Sequence, residues 1–110
     1  MESSSNDMDA SYYAFTNLAG FKEFLLEVIV GAPDNFMEFD WLRPEQQMNL
    51  ERAFAGLQYG LEVARRETNN SPVLNECKVL IDRALLDYRA GNEVEGQKRL
   101  EEVETLLSRL

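Results

Sequence analysis

Residues 71–100, SPVLNECKVLIDRALLDYRAGNEVEGQKRL, contain two apolar helical stripes separated by one short turn. The first stripe has the three- and four-residue spacing of an amphipathic helix, and its predicted inner face comprises Leu74, Cys77, Leu80, Ile81, Ala84, Leu85 and Tyr88. The second stripe continues beyond this stretch and comprises Gly96, Leu100, Val103, Leu107 and Leu110. Because the turn is so short, the two helices must fold back on each other. The stretch predicts an antiparallel C-terminal helical hairpin.

Capping residues predict where both hairpin helices begin and end. Ser71 is expected to cap the third helix of the chain, and Pro72 suits its first turn because proline has no N–H to leave unpaired there. Gly91 provides a left-handed stop for that helix. Asn92 is then expected to cap the fourth helix, with Glu95 in the capping-box position.

The hairpin also resembles, in part, one unit of the tetratricopeptide repeat. The small and apolar positions that carry the resemblance are Ala84, Gly91, Gly96, Leu100 and Val103. The resemblance covers about one unit, and no second copy occurs upstream. Since a single unit cannot bury its own apolar face, we expect a hairpin with this type of packing and not a repeat array.

A further helical stripe runs from about residue 10 to residue 30 and stops at Gly31 and Pro33. Its apolar positions are Leu18, Phe21, Leu25, Val28 and Ile29. Asn17 could cap a second piece of this helix, which leaves open a break at residues 16–17.

The second helix is expected to begin at Pro44 and to end at TNNSP, residues 68–72. Its stripe consists of Leu50, Phe54, Leu57, Leu61 and Ala64. Gly56 and Gly60 lie four residues apart on an adjacent face. In a helix of a globular protein this spacing favours the close approach of a neighbouring helix.

These patterns predict an all-α fold, a single-domain helical bundle of about four helices. Residues 10–110 would form the bundle domain, and residues 1–9, which are polar and lack periodicity, a flexible N-terminal tail. With 45% apolar and 28% charged residues, the composition is that of an ordinary globular protein. No segment has the features of a secretory signal or a membrane span, and the lone cysteine fits a reducing compartment. A bacterial cytoplasmic setting is expected.

The residue types that usually carry chemistry are scarce. Histidine is absent, and Cys77 falls on the predicted core face, where it would be inert. Asp34, Glu38 and Asp40 do not have the spacing of a calcium loop. The run of acids at residues 101–104 falls on the solvated side of the last helix. We therefore expect no enzyme activity, no cofactor and no metal site.

The net charge of −9 is concentrated in the first part of the chain. Residues 1–45 hold nine acids against Lys22 and Arg43, whereas residues 46–110 are nearly balanced. Such a charge repels nucleic acid and anionic membranes and attracts basic proteins. Solubility alone is the simpler explanation, but the uneven distribution favours a binding role.

The connector GAPDNFMEFDWLRP, residues 31–44, combines aromatic rings with carboxylates. Two interpretations are open, because the rings could plug the core or could anchor an interface surrounded by acids. A combined arrangement has Phe36 and Trp41 inward and the acids outward. The candidate partner-binding residues are Asp34, Phe36, Glu38, Phe39, Asp40, Trp41 and Glu45.

Three functions agree with these features. The first is a small acidic immunity or antitoxin-type inhibitor that occludes the basic active site of a toxin domain. The second is a structural or adaptor bundle, either a homodimer through the Gly56/Gly60 face or the last helix, or a docking partner or chaperone for another protein. The third, a DNA mimic, is less favoured because its acids should form regular rows and the second part of the chain is nearly neutral.

Overall fold

The computed structural model describes residues 15–110, in which four α-helices and one 3-10 turn are present. The helices are α1 (Leu18–Gly31), α2 (Leu50–Thr68), α3 (Val73–Arg89) and α4 (Glu93–Leu107), and the 3-10 turn is Pro44–Gln46. Residues 15–110 contain no strand. The predicted all-α bundle of about four helices is confirmed. The predicted tail at residues 1–9 and the predicted helix start at residue 10 lie outside the described residues.

Helices α3 and α4 form the predicted hairpin, joined by a turn of three residues. Gly91 at its centre has φ +83°, so the predicted left-handed stop is confirmed. Tyr88 packs on Gly96, where an added Cβ would lie 2.9 Å from the ring. Arg99 Nε donates to Asp87 Oδ2 across the hairpin. The glycine therefore lets the two helices pack closely beside their turn.

Helix α1 packs against α2 and α4, and α2 also packs against α3. Gly60 of α2 receives the ring of Phe21 from α1, and a Cβ at this glycine would lie 2.0 Å from Phe21 Cδ1. The predicted close helix approach is confirmed at Gly60. Gly56 is buried as well.

One hydrophobic core draws on all four helices, and most of the predicted inner positions are buried in it. Its largest fully buried side chains are Phe21, Leu25, Leu57, Leu61, Leu74, Ile81, Leu100 and Leu107. Cys77 is also fully buried, as predicted, and burial raises the pKa of its thiol to about 11. The thiol therefore stays protonated and unreactive at neutral pH.

Two predicted helix starts and one predicted side-chain cap differ from the structure. Pro44 opens the 3-10 turn and not α2, because Asn49 supplies the better cap, with its Oδ1 accepting from Arg52 N at 2.8 Å. Pro72, and not Ser71, occupies the cap position of α3, which has no side-chain cap. Asn92 precedes α4 as predicted, but its backbone is not in the extended capping geometry and the side chain makes no capping bond.

Among the described residues, α1 begins with a side-chain cap. Asn17 is an extended N-cap whose Oδ1 accepts from Gly20 N at 2.8 Å, so α1 begins at Leu18. The predicted break at residues 16–17 supposes a preceding helical piece, which lies outside the described residues. No helix within residues 15–110 has the length and apolar character needed to cross a bilayer.

Candidate functional site

The connector between α1 and α2 is irregular apart from its 3-10 turn, and a side chain from its far end holds it in place. Gln47 Oε1 accepts from Phe39 N at 3.0 Å, and Gln47 Nε2 donates to Phe39 O at 2.8 Å and to Leu42 O at 2.9 Å. Arg52 of α2 donates to the Gln47 carbonyl at 3.1 Å. One glutamine therefore satisfies three backbone groups of the connector and fixes the segment that follows Phe39.

The three aromatic rings of the connector have different environments. Phe36 is half-buried and packs against the core, where its ring fills the space beside Gly31. Phe39 is 37% exposed and Trp41 is 77% exposed. The rings of Phe39 and Trp41 contact each other with centroids 4.7 Å apart. The expectation that Trp41 points inward is wrong, and of the three rings it is Phe36 that packs against the core.

The outward position of Trp41 has two physical causes, the filled core and the contacts of Gln47. Where α1 packs on α2, the Phe21 ring already occupies the surface of Gly60, and the Phe15 ring contacts Phe21, Phe24 and Tyr59. Gln47 fixes the connector backbone around Phe39 and Leu42 at the protein surface. The Trp41 ring therefore packs on Phe39 instead of entering the core.

The predicted acids of the connector do face solvent. Asp34, Glu38 and Asp40 are exposed, and none of them forms an ion pair with another residue in the 15–110 region. Glu45 is also exposed, but its Oε2 lies 3.2 Å from Arg43 Nε. Three of the four candidate carboxylates are thus available to a partner, while Glu45 is largely compensated by its neighbour.

An apolar groove of about 730 Å³ lies between the C-terminal half of α1 and the connector. Its apolar lining is contributed by Leu26, Val30, Phe36, Met37, Phe39 and Met48. Val30 is 77% exposed and Met37 is 73% exposed. We call this feature the connector groove. Side chains of this size are usually covered in a folded protein, and several adjacent exposed ones are typical of a binding surface.

Four of these groove residues were not among the sequence-predicted site residues: Leu26, Val30, Met37 and Met48. A signal existed for the first two. Residues 24–30, FLLEVIV, carry more apolar side chains than one inner helical stripe needs. The excess lies on the outer side of α1, where it lines the groove. Nothing in the sequence identified Met48 or the role of Gln47, because both depend on how the connector folds back.

The groups with strongly raised pKa values lie away from the connector groove. The strongly perturbed acidic groups among the described residues are Cys77 and Tyr88, and neither lines the groove. No group of three or more potential metal-ligating side chains occurs within residues 15–110.

No protein-family model, no curated protein and no solved structure matches this chain.

Proposed function

We propose that this protein is a non-enzymatic binding module for a basic protein partner. Its most specific form is an immunity-type inhibitor, acting in a bacterial cytoplasm, that covers the cationic cleft of a toxin domain. One observation carries the proposal. The carboxylates of Asp34, Glu38 and Asp40, which form no ion pair within residues 15–110, alternate with the exposed rings of Phe39 and Trp41 on a connector that Gln47 fixes.

Each part of this arrangement supports protein binding. Tryptophan is enriched among the residues that contribute most to interface energy, and Trp41 is largely exposed. Carboxylates around such an anchor match a cationic surface and speed the encounter of the two proteins. Because the connector is held by Gln47, less conformational entropy is lost when a partner binds. A toxin that cleaves nucleic acid needs a cationic cleft to hold phosphates, so it meets these requirements.

An adaptor is the second candidate, and a separate surface favours it. Val79 and Leu86 lie seven residues apart on α3, and both are exposed, as is Val94 at the start of α4. A bundle with two apolar surfaces could hold two proteins together. This surface lacks the connector's combination of exposed aromatic rings and carboxylates, so the adaptor is the second candidate.

The decisive experiment reverses the charge of the connector. The triple variant Asp34→Lys, Glu38→Lys, Asp40→Lys should weaken binding to the basic partner by about a hundredfold, or roughly 2.7 kcal/mol, because like charges would face each other. Candidate partners are basic proteins encoded beside this one, and the wild-type chain should restore growth when it is coexpressed with them. The melting temperature should change little, because the three acids are exposed.

A matched control exists on α4. The triple variant Glu101→Lys, Glu102→Lys, Glu104→Lys makes the same change in net charge at three exposed acids. It should weaken binding far less than the connector triple variant. Equal losses of affinity in the two variants would show that only net charge matters. Unchanged affinity of the connector variant would show that the connector is not the binding site.

A further inference from the structure

We infer that the connector groove receives a cationic amphipathic α-helix of the partner protein. The inference rests on the proposed function, because it states which structural class of basic partner the same site would bind. Three features of the structure carry it: the apolar lining of the groove, the absence of a strand edge beside it, and the charge around it.

The lining of the groove provides contacts for several apolar side chains at once. Leu26 and Val30 lie one helical turn apart on α1 and form one wall, and Met37 lines the connector side. Phe36, whose ring packs beside Gly31, and Met48 also line the groove. A helix with apolar residues three and four positions apart presents a stripe that fits such a groove.

The hydrogen-bonding needs of its backbone favour a helix over an extended conformation for the bound segment. Residues 15–110 contain no strand, so the groove has no sheet edge to pair with an extended chain. An extended segment would place its N–H and C=O groups against apolar side chains, where each unpaired group costs free energy. A helix satisfies these groups internally. Its side chains alone need to match the groove.

The charge around the groove selects the sign of the partner. Glu27 lines the groove, and Asp34 and Glu38 lie on the connector beside Met37; within residues 15–110 none of these three acids forms an ion pair. A second copy of this chain would bring the same acids face to face, and like charges at an interface cost several kcal/mol. Lysine or arginine residues that flank an apolar stripe would instead be attracted.

Met37 and Met48 influence how selective the groove would be. Methionine is unbranched and flexible, so it adapts to apolar side chains of different shape. We therefore expect the pattern of apolar and cationic positions to matter more than the identity of each apolar residue.

The test uses the whole chain labelled at its methionine methyl groups and three synthetic peptides of about four helical turns. The first has leucine on one face and lysine on the other. The second contains the same residues in an order that spreads leucine around the helix. The third keeps the amphipathic order but replaces lysine by glutamate. Nuclear magnetic resonance follows the methyl signals of Met37 and Met48, and titrations give the affinities.

The first peptide should shift both methyl signals and bind about tenfold tighter than the second. Val30→Asn should weaken its binding about tenfold, since it removes an exposed apolar contact of the groove. The control Ala19→Asn, which changes an exposed apolar residue of α1 outside the groove, should leave the affinity unchanged.

Four results would overturn the inference. The first is that the amphipathic lysine peptide does not bind. The second is that the two lysine peptides bind equally and Val30→Asn has no effect, and the third is that the glutamate peptide binds as tightly as the amphipathic lysine peptide. The fourth is that the methyl shifts of the protein alone depend on its concentration. The last would assign the groove to a second copy. In the second case the connector charge reversal would still weaken binding, so the proposed function would stand while the helix inference failed. Failure of the proposed function would appear separately, in the coexpression experiment.

Discussion

Two tyrosine hydroxyl groups show how burial and hydrogen bonding act on single residues. Tyr59 OH donates to Phe15 O at 3.2 Å, so its polar group is satisfied. Tyr88 is buried against Gly96 and Phe54, and its hydroxyl has no hydrogen-bond partner among the described residues. A buried hydroxyl without a partner costs stability, whereas a bonded one contributes to it.

We therefore expect Tyr88→Phe to leave the free energy of unfolding unchanged or to raise it by about 1 kcal/mol. The matched variant Tyr59→Phe should lower it by about 0.5–1.5 kcal/mol, because a hydrogen bond is lost. Chemical denaturation measures both values. A clear loss in Tyr88→Phe would mean that the hydroxyl has a partner in solution.

The wild type and the Tyr88→Phe variant should also differ in how their stability depends on pH above pH 10. Burial, followed by the nearby acids Glu93, Glu101 and Asp87, raises the pKa of Tyr88 to about 12 from its ordinary value of 10. Between pH 10 and 12 the unfolded tyrosine loses its proton while the folded one keeps it, so the contribution of Tyr88 to stability is intact below pH 10 and declines as pH rises to about 12. Tyr88→Phe should lose less stability than the wild type over this interval. Identical pH profiles would contradict the assignment.

At the scale of structural elements, the connector depends on one side chain for its conformation. Gln47 bonds to both backbone groups of Phe39 and to the carbonyl of Leu42. These contacts lie at the surface, so they order the connector and contribute little to the core. The exposed ring pair of Phe39 and Trp41 is positioned by this arrangement.

We predict that Gln47→Ala releases the connector without unfolding the bundle. Hydrogen exchange at the Phe39 amide should accelerate by about tenfold or more, and the free energy of unfolding should fall by less than about 1 kcal/mol. Affinity for the basic partner should fall several-fold, because the ordering cost is then incurred on binding. Gln97→Ala, at an exposed position of α4, is the control and should change neither exchange nor affinity. Unchanged exchange in Gln47→Ala would show that other contacts hold the connector.

For the whole molecule, the contact between Phe21 and Gly60 determines how closely α1 and α2 approach. The Phe21 ring is fully buried, so it cannot move aside into solvent. An added methyl group on Gly60 would therefore force the two helices apart or the ring out of its preferred rotamer. This contact also positions α1, which forms one wall of the connector groove.

Gly60→Ala should lower the free energy of unfolding by about 1–3 kcal/mol, even though alanine favours helix more than glycine does. The double variant Phe21→Leu, Gly60→Ala should be more stable than the sum of the single effects predicts, because the smaller side chain makes room for the methyl group. Thermal and chemical denaturation measure the cycle. Additive effects would mean that the two residues are not in contact.

The sequence alone was sufficient for the helices, the hairpin, the buried stripes with Cys77, and the exposed connector acids. Helical periodicity and capping act over a few residues, and a charged side chain without a partner stays in water wherever the chain permits it. Those features could be predicted because each is decided within one or two turns of helix. The helix starts at Pro44 and Ser71 were wrong for a related reason, since neighbouring residues compete to form a cap.

Only the tertiary structure decided which apolar groups remain uncovered. Trp41 lies outward because the rings of Phe21 and Phe15 already pack on α2 and because Gln47 fixes the backbone near Phe39. Leu26 and Val30 face the connector groove because no other element of residues 15–110 covers that side of α1. Burial depends on the volume left by residues distant in sequence, and local patterns contain no information about that volume.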